Sequence, residues 1–183
     1  MLLLPLDQTH GQQMSFSDAA KPYTDSRYAF EGYVDKSGQI QGGGLGCSAY
    51  VSVVLHRMRN GPAWLKSYDL RVHQQYGDEI AKHFGLRPAA KVSAADLCKK
   101  QTVLRLVESG RLKKNGLYLF DTRNGKAGHV GFLRIKSDGS VIQSHYSGMK
   151  QYNGLASGEF SNWLTNSQYR KQQIQLFQIQ SRP

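Results

Sequence analysis

One cysteine and two histidines have the types and spacing to carry out covalent chemistry. Cys47 follows the run Gly42-Gly43-Gly44-Leu45-Gly46 and starts a segment, Cys47–Met58, with helical periodicity. The unpaired amides and the dipole at a helix N-terminus favour a thiolate, which lowers a cysteine's pKa and makes it a nucleophile. The glycines let backbone and substrate pass close to the sulfur. A nucleophilic thiol needs a proton partner, usually a histidine distant in sequence. His129, directly after Gly128, begins an apolar strand-like run and can project from a sheet edge toward the helix end. A third polar group should hold that imidazole in one tautomer. His145 and Gln143 both qualify, because they alternate onto one face of the next strand. Each residue also has a structural reading: Cys47 as a small buried hydrophobe, and His129 as a half-buried strand residue.

The remaining cysteine and histidines fit this chemistry less well. His56 lies nine residues beyond Cys47, about 13.5 Å along the same helix and on its other side. His73 and His83 fall in a middle helical region, and His10 in the loose start. No histidine makes an H-x-x-x-H pair, and no Cys/His group has zinc spacing. Cys98 reads as a core thiol, although a Cys47–Cys98 disulfide would remove the nucleophile.

The elements that must position these groups are legible from periodicity. Tyr50, Val51, Val54, Leu55 and Met58 form one apolar helix face, which Asn60-Gly61-Pro62 ends. Residues 63–86 read as helical with a break at Gly77, carrying Trp64, Leu65, Leu70, Val72, Ile80 and Phe84. Ser93-Ala94-Ala95-Asp96 is a capping box for a helix with Leu97, Leu104 and Val107 on its face, closed by Gly110. Strands are expected at Leu117–Phe120, His129–Ile135 and Val141–Tyr146, the last two joined by a hairpin turn at Ser137–Ser140. A short helix at Phe160–Leu164 and a strand at Ile174–Ile179 complete the chain. The expected class is α+β, with N-terminal helices packed on a small antiparallel β-sheet. Residues 1–25 read as a loose N-terminal segment, and 26–183 as one domain with a helical insert at about 63–110.

Composition narrows the classes. The chain has 183 residues, 39% of them hydrophobic, enough for one core. No apolar run is long enough to span a bilayer. Met1-Leu2-Leu3-Leu4-Pro5-Leu6 is too short for a signal-peptide core and lacks a basic start. Lys and Arg total 24 against 13 Asp and Glu, for a net charge of +11. A field of that sign concentrates polyanions. The basic residues are scattered, and no nucleic-acid-binding signature accompanies them, so nucleic acid is not the expected partner. A module that binds an acidic polymer through Tyr23, Tyr28 and Tyr33 is the non-enzymatic alternative.

The motif order resembles a known family. Gly42–Val54 is similar to the nucleophile segment of NlpC-like and CHAP peptidoglycan hydrolases, and Gly128-His129-Val130-Gly131-Phe132 to their Gly-His-Val strand. Gly116–Phe120 looks like the strand that follows the helices there, and Asp138–His145 like the CHAP hairpin. The family commonly has Asp before the cysteine, where this chain has Gly46, and Gly after the serine, where it has Ala49. The resemblance implies a papain-like NlpC/CHAP-type domain that cleaves amides in cell-wall peptide stems or crosslinks. In it Cys47 attacks, His129 moves protons and His145 orients His129, with Gln143 taking that place in members with a shorter hairpin. No metal or organic cofactor is implied. A secreted or periplasmic location is implied, as is an antibacterial role with a cognate immunity protein. A transglutaminase-like or other acyl-transfer enzyme would use the same pair.

Overall fold

A computed structural model describes residues 13–61, 68–122, 128–164 and 168–179. The expectations for Met1–Leu6, His10, Trp64 and Leu65 lie outside those residues. The fold is mixed α+β, with a small two-stranded antiparallel sheet and a larger six-stranded one. The small sheet pairs β1 (Tyr33–Val34) with β2 (Ile40–Gln41). The large sheet contains β3 (Arg87–Ser93), β4 (Leu117–Asp121), β5 (Val130–Ile135), β6 (Val141–Ser147), β7 (Gly154–Glu159) and β8 (Gln173–Ile179). Its spatial order is β3-β8-β4-β5-β6-β7, with every neighbouring pair antiparallel.

Alternation along the strands feeds two cores. Leu117, Leu119, Val130 and Phe132 point to the face covered by helix α2 (Cys47–Asn60). Tyr118, Phe120, Leu133 and Ile135 point to the opposite face, under short helices that follow. β4 is buried at all five positions because both its faces are covered. Helix α2 is likewise buried from Ala49 to His56, beyond the single apolar face its sequence suggests. Its Tyr50 hydroxyl meets Ser144 Oγ at 2.7 Å, which satisfies the phenol inside the core.

Several local expectations are corrected. Residues 13–25 are ordered structure, not a loose lead-in. Ser15 caps helix α1 (Phe16–Ala20) by accepting the Asp18 amide, and Ala19 and Tyr23 are buried. Phe16 supplies the anchor, its ring 5.0 Å from Phe132 edge to face. The stretch 63–110 is not uniformly helical. Gly77 begins helix α3 (Gly77–His83) instead of breaking one, because the Glu79 side chain accepts the Tyr76 amide at 2.9 Å. Leu70–Gln74 is a 3-10 turn. Arg87–Ser93 adds an edge strand, where Pro88 costs no ladder bond that an interior strand would need. The Ser93 cap holds only α4 (Ala94–Leu97). Lys99 is extended, and α5 (Lys100–Glu108) starts in a new direction that buries Val103. Strand β7 carried no clear signal, and α6 (Phe160–Leu164) follows it. Among the described residues no helix is long and apolar enough to cross a membrane.

Candidate active site

Cys47 occupies the first helical position of α2, with Gly46 as N-cap. The glycine run has a backbone cause. Leu45 exchanges main-chain bonds with Arg27 and Ala29, and the Gly46 amide donates to the Gly32 carbonyl at 3.2 Å. A Cβ on Gly46 would lie 2.8 Å from the Phe30 carbonyl oxygen, and one on Gly44 only 2.2 Å from that of Arg27. The glycines therefore let two stretches of main chain touch, which fixes where the helix starts.

The thiol does not behave as its helix position suggests. Backbone N–H groups of Val130, Ser48 and Cys47 face the sulfur and favour a thiolate. Burial acts more strongly, and the carboxylate of Asp121 adds repulsion, so the Cys47 pKa is raised. The residue keeps intermediate exposure while packed protein surrounds its sulfur. With its pKa raised, Cys47 stands as a neutral thiol. Cys98 is also free, so no disulfide consumes Cys47.

His129, His145 and Gln143 form a continuous buried relay. His129 Nε2 lies 2.7 Å from His145 Nδ1, and His145 Nε2 lies 3.0 Å from Gln143 Oε1. An amide oxygen only accepts, so His145 carries its proton on Nε2 and presents a lone pair at Nδ1. His129 Nε2–H then donates to that lone pair, which leaves His129 Nδ1 as an acceptor. The Tyr146 carbonyl, 3.5 Å from His145 Nδ1, is too distant to compete. Both candidates for the third group are thus used in series, His145 against His129 and Gln143 against His145. The Val130 amide, one peptide on from His129, faces the Cys47 sulfur.

Three residues outside the sequence-based candidates support this relay. Thr122 Oγ1 accepts the His129 amide at 2.9 Å and donates to the His129 carbonyl at 3.2 Å. Gly131 leaves room for His145, because a Cβ there would stand 2.3 Å from His145 Cβ. Asp121, paired with Val130 and only 3% exposed, sets the charge beside the thiol. A carboxylate and a threonine closing an otherwise apolar strand were the one available hint, since a buried acid needs a reason.

The cleft at this site has a volume of about 720 Å³ and runs between Phe30–Tyr33 on one wall and Leu70–Arg71 on the other. Phe30 projects into solvent at 83% exposure. Asp69 holds the Arg71 guanidinium with two bonds, at 2.8 and 3.0 Å. Of the three expected catalytic residues only Cys47 lines the cleft; His129 and His145 lie behind it, buried.

Burial leaves the histidines neutral. His129 is pushed down to about 4 by desolvation, and His145 is pushed well below the usual imidazole range by burial and by His129 beside it. His56, on α2, also falls to about 4, through burial and then the nearby His83. Both its ring nitrogens lack hydrogen-bond partners, and the rings of Tyr68, His83 and Phe84 surround it. A histidine whose folded pKa lies below the unfolded value of about 6.5 binds its proton more readily when unfolded. The resulting stability is complete above pH 6.5 and is lost as pH falls toward 4. Thermal melts should therefore show a midpoint that drops steadily through that window. His56→Phe should make the drop shallower, by up to about 3 kcal/mol in stability at its acid end. An unchanged slope would mean that His56 is not buried and neutral.

No family model, curated protein or solved structure matches this chain.

Proposed function

We propose that the chain is a cysteine peptidase or amidase that hydrolyses an amide bond in the peptide stems or crosslinks of peptidoglycan. Cys47 is the nucleophile, His129 the general base and acid, and His145 the orienting group. The observation that carries this reading is the directed relay from Gln143 through His145 to His129, whose next residue, Val130, turns its amide to the helix-start thiol of Cys47. A papain-like fold belongs to the same reading, supported by the Cys47 helix packed on an antiparallel sheet that bears both histidines. The choice of peptidoglycan rests on the motif resemblance, and a +11 charge suits a polymer with carboxylate-bearing stems.

In this mechanism the Cys47 Sγ–H proton passes to His129 Nδ1 as sulfur attacks the carbonyl carbon. The displaced electron pair collects on the carbonyl oxygen, and the Cys47 and Ser48 amides, which face the sulfur, are assigned as its donors. Collapse breaks the C–N bond, and His129 returns its proton to the departing amine. Water, giving its proton to His129, then cleaves the thioester and restores the thiol. Because thiol and imidazole both start neutral, proton transfer must accompany attack; no stored ion pair is needed. The same reading places the protein at the bacterial wall, secreted or periplasmic. As an antibacterial effector it would have an inhibitor seated over the Cys47 cleft.

Purified peptidoglycan incubated with the wild type should yield new soluble fragments, identified by mass spectrometry, and Cys47→Ala should yield none. Fragments that persist in the variant, or a folded wild type that cuts no wall type, would sink the proposal.

A further inference from the structure

Two clefts away from Cys47 have no part in the reaction above. One, of about 580 Å³, lies where the last turns of α2 meet β4 and β8. Leu55, Met58 and Phe84 line it together with Arg59, Arg87 and Arg134. The second, of about 630 Å³, opens over the sheet beside α1, with Phe132 and Leu155 among its lining and Lys21, Arg134 and Lys136 at its rim. Phe16, Leu117 and Arg134 line both, so the two clefts are continuous around the Phe16 ring, over which the Arg134 guanidinium sits at 5.9 Å.

The charges on this surface are of one sign. Among the described residues no aspartate or glutamate lines either cleft, while five cations do. Ion pairs among the described residues join Arg71 to Asp69, Lys99 to Asp96 and Lys100 to Asp138, and involve none of these five. Among the described residues these five cations have no ion-pair partner, and with apolar side chains recessed between them they suit a ligand that brings both carboxylates and apolar side chains. The recessed position of the apolar groups argues against a flat lipid surface. Leu55, Phe84 and Phe132 are 4%, 9% and 1% exposed, and the exposed large apolar residues, Phe30 and Tyr76, lie outside both clefts.

We infer that this double cleft is a docking surface for an acidic protein segment, which seats apolar side chains on either side of Phe16 and sets its carboxylates on the Arg59, Arg87 and Arg134 rim. Met58 stands eleven residues from Cys47 along α2, about 16 Å away. A partner held there leaves the Cys47 cleft open, so the inference does not depend on the hydrolytic reading.

The test uses the full chain and a fluorescein-labelled peptide of alternating Glu and Leu, read by anisotropy at low and moderate salt. Poly-glutamate, an alternating Lys-Leu peptide and phosphatidylglycerol vesicles serve as comparison probes. The Glu-Leu peptide should bind at least tenfold more tightly than poly-glutamate, and the Lys-Leu peptide should not bind. Combined Arg59→Gln, Arg87→Gln and Arg134→Gln should weaken binding at least tenfold while the variant stays folded and its Cys47 is alkylated by iodoacetamide at the wild-type rate. Hydrogen exchange on the wild type should show peptide-induced protection at residues 14–20, 55–59 and 132–136, which keeps the idea testable should the triple variant misfold. Equal binding of poly-glutamate, protection elsewhere, tighter binding to vesicles than to peptide, or indifference to the triple substitution would each overturn it.

Discussion

His129→Gln is expected to lower kcat/KM on peptidoglycan by about three to four orders of magnitude, the upper range for loss of a general acid–base group. The buried thiol makes the dependence steep. A cysteine already held as a thiolate would keep part of its reactivity without a base, but the Cys47 pKa is raised by burial and by Asp121. His145→Asn should cost less, about ten- to a hundredfold, because an asparagine oxygen can still accept the His129 Nε2–H. Gln143→Leu acts one bond further out and should cost least of the three. The same order should appear in the rate at which iodoacetamide alkylates Cys47, an assay that needs no wall substrate. A His129→Gln variant that alkylates as fast as wild type would remove His129 from the mechanism.

Gly131→Ala should be strongly destabilising and should damage the histidine pair directly. The added Cβ would lie 2.3 Å from His145 Cβ and 2.6 Å from a Phe120 ring carbon. Neither neighbour can retreat easily. His145 is fully buried and bonded at both nitrogens, and Phe120 packs against the His129, His145 and Phe160 rings. Overpacking of a tight core costs about 1–3 kcal/mol or more, and the upper end applies where two partners are pinned. For a chain of this size 3 kcal/mol corresponds to roughly 6–12 °C in thermal midpoint. Activity should fall with it, since the strain is relieved by displacing the His145 ring. A melt within about 1 °C of wild type would show that strands β5 and β6 are not packed at this register.

Much of this site was readable from the chain. A glycine run before Cys47, a helical period after it, and a Gly-His opening to an alternating strand are all short-range patterns. They follow from backbone sterics and side-chain periodicity, which act over a few residues. The same applies to the hairpin at Ser137–Ser140, where Asp138 accepts the Ser140 amide and Gly139 takes φ of 82°. Edge strands were the weak point. Arg87–Ser93 and Gly154–Glu159 hold few apolar residues, and pairing with β8 and β6 supplies the bonds that make them strands. The helical reading of 63–110 missed the strand Arg87–Ser93 for that reason. Ser93 did cap a helix, but a cap sets only a start, and one turn later Lys99 redirects the chain.

By itself, then, the sequence determined the α+β class, the helix at Cys47, the strands that hold His129 and His145, and the shared face of His145 and Gln143. Each of these depends on neighbours a few positions apart. Tertiary structure alone decided the chemistry those residues can do. Burial from several elements reversed the expected direction of the Cys47 pKa and left both histidines neutral. The relay linked the two candidates for third group, because one face of β6 presents both toward a neighbour sixteen residues away in sequence. Thr122, Gly131 and Asp121 took their places only when β4 lay against β5. Protonation states and ring orientations depend on desolvation and on contacts between distant segments, and a linear pattern contains neither.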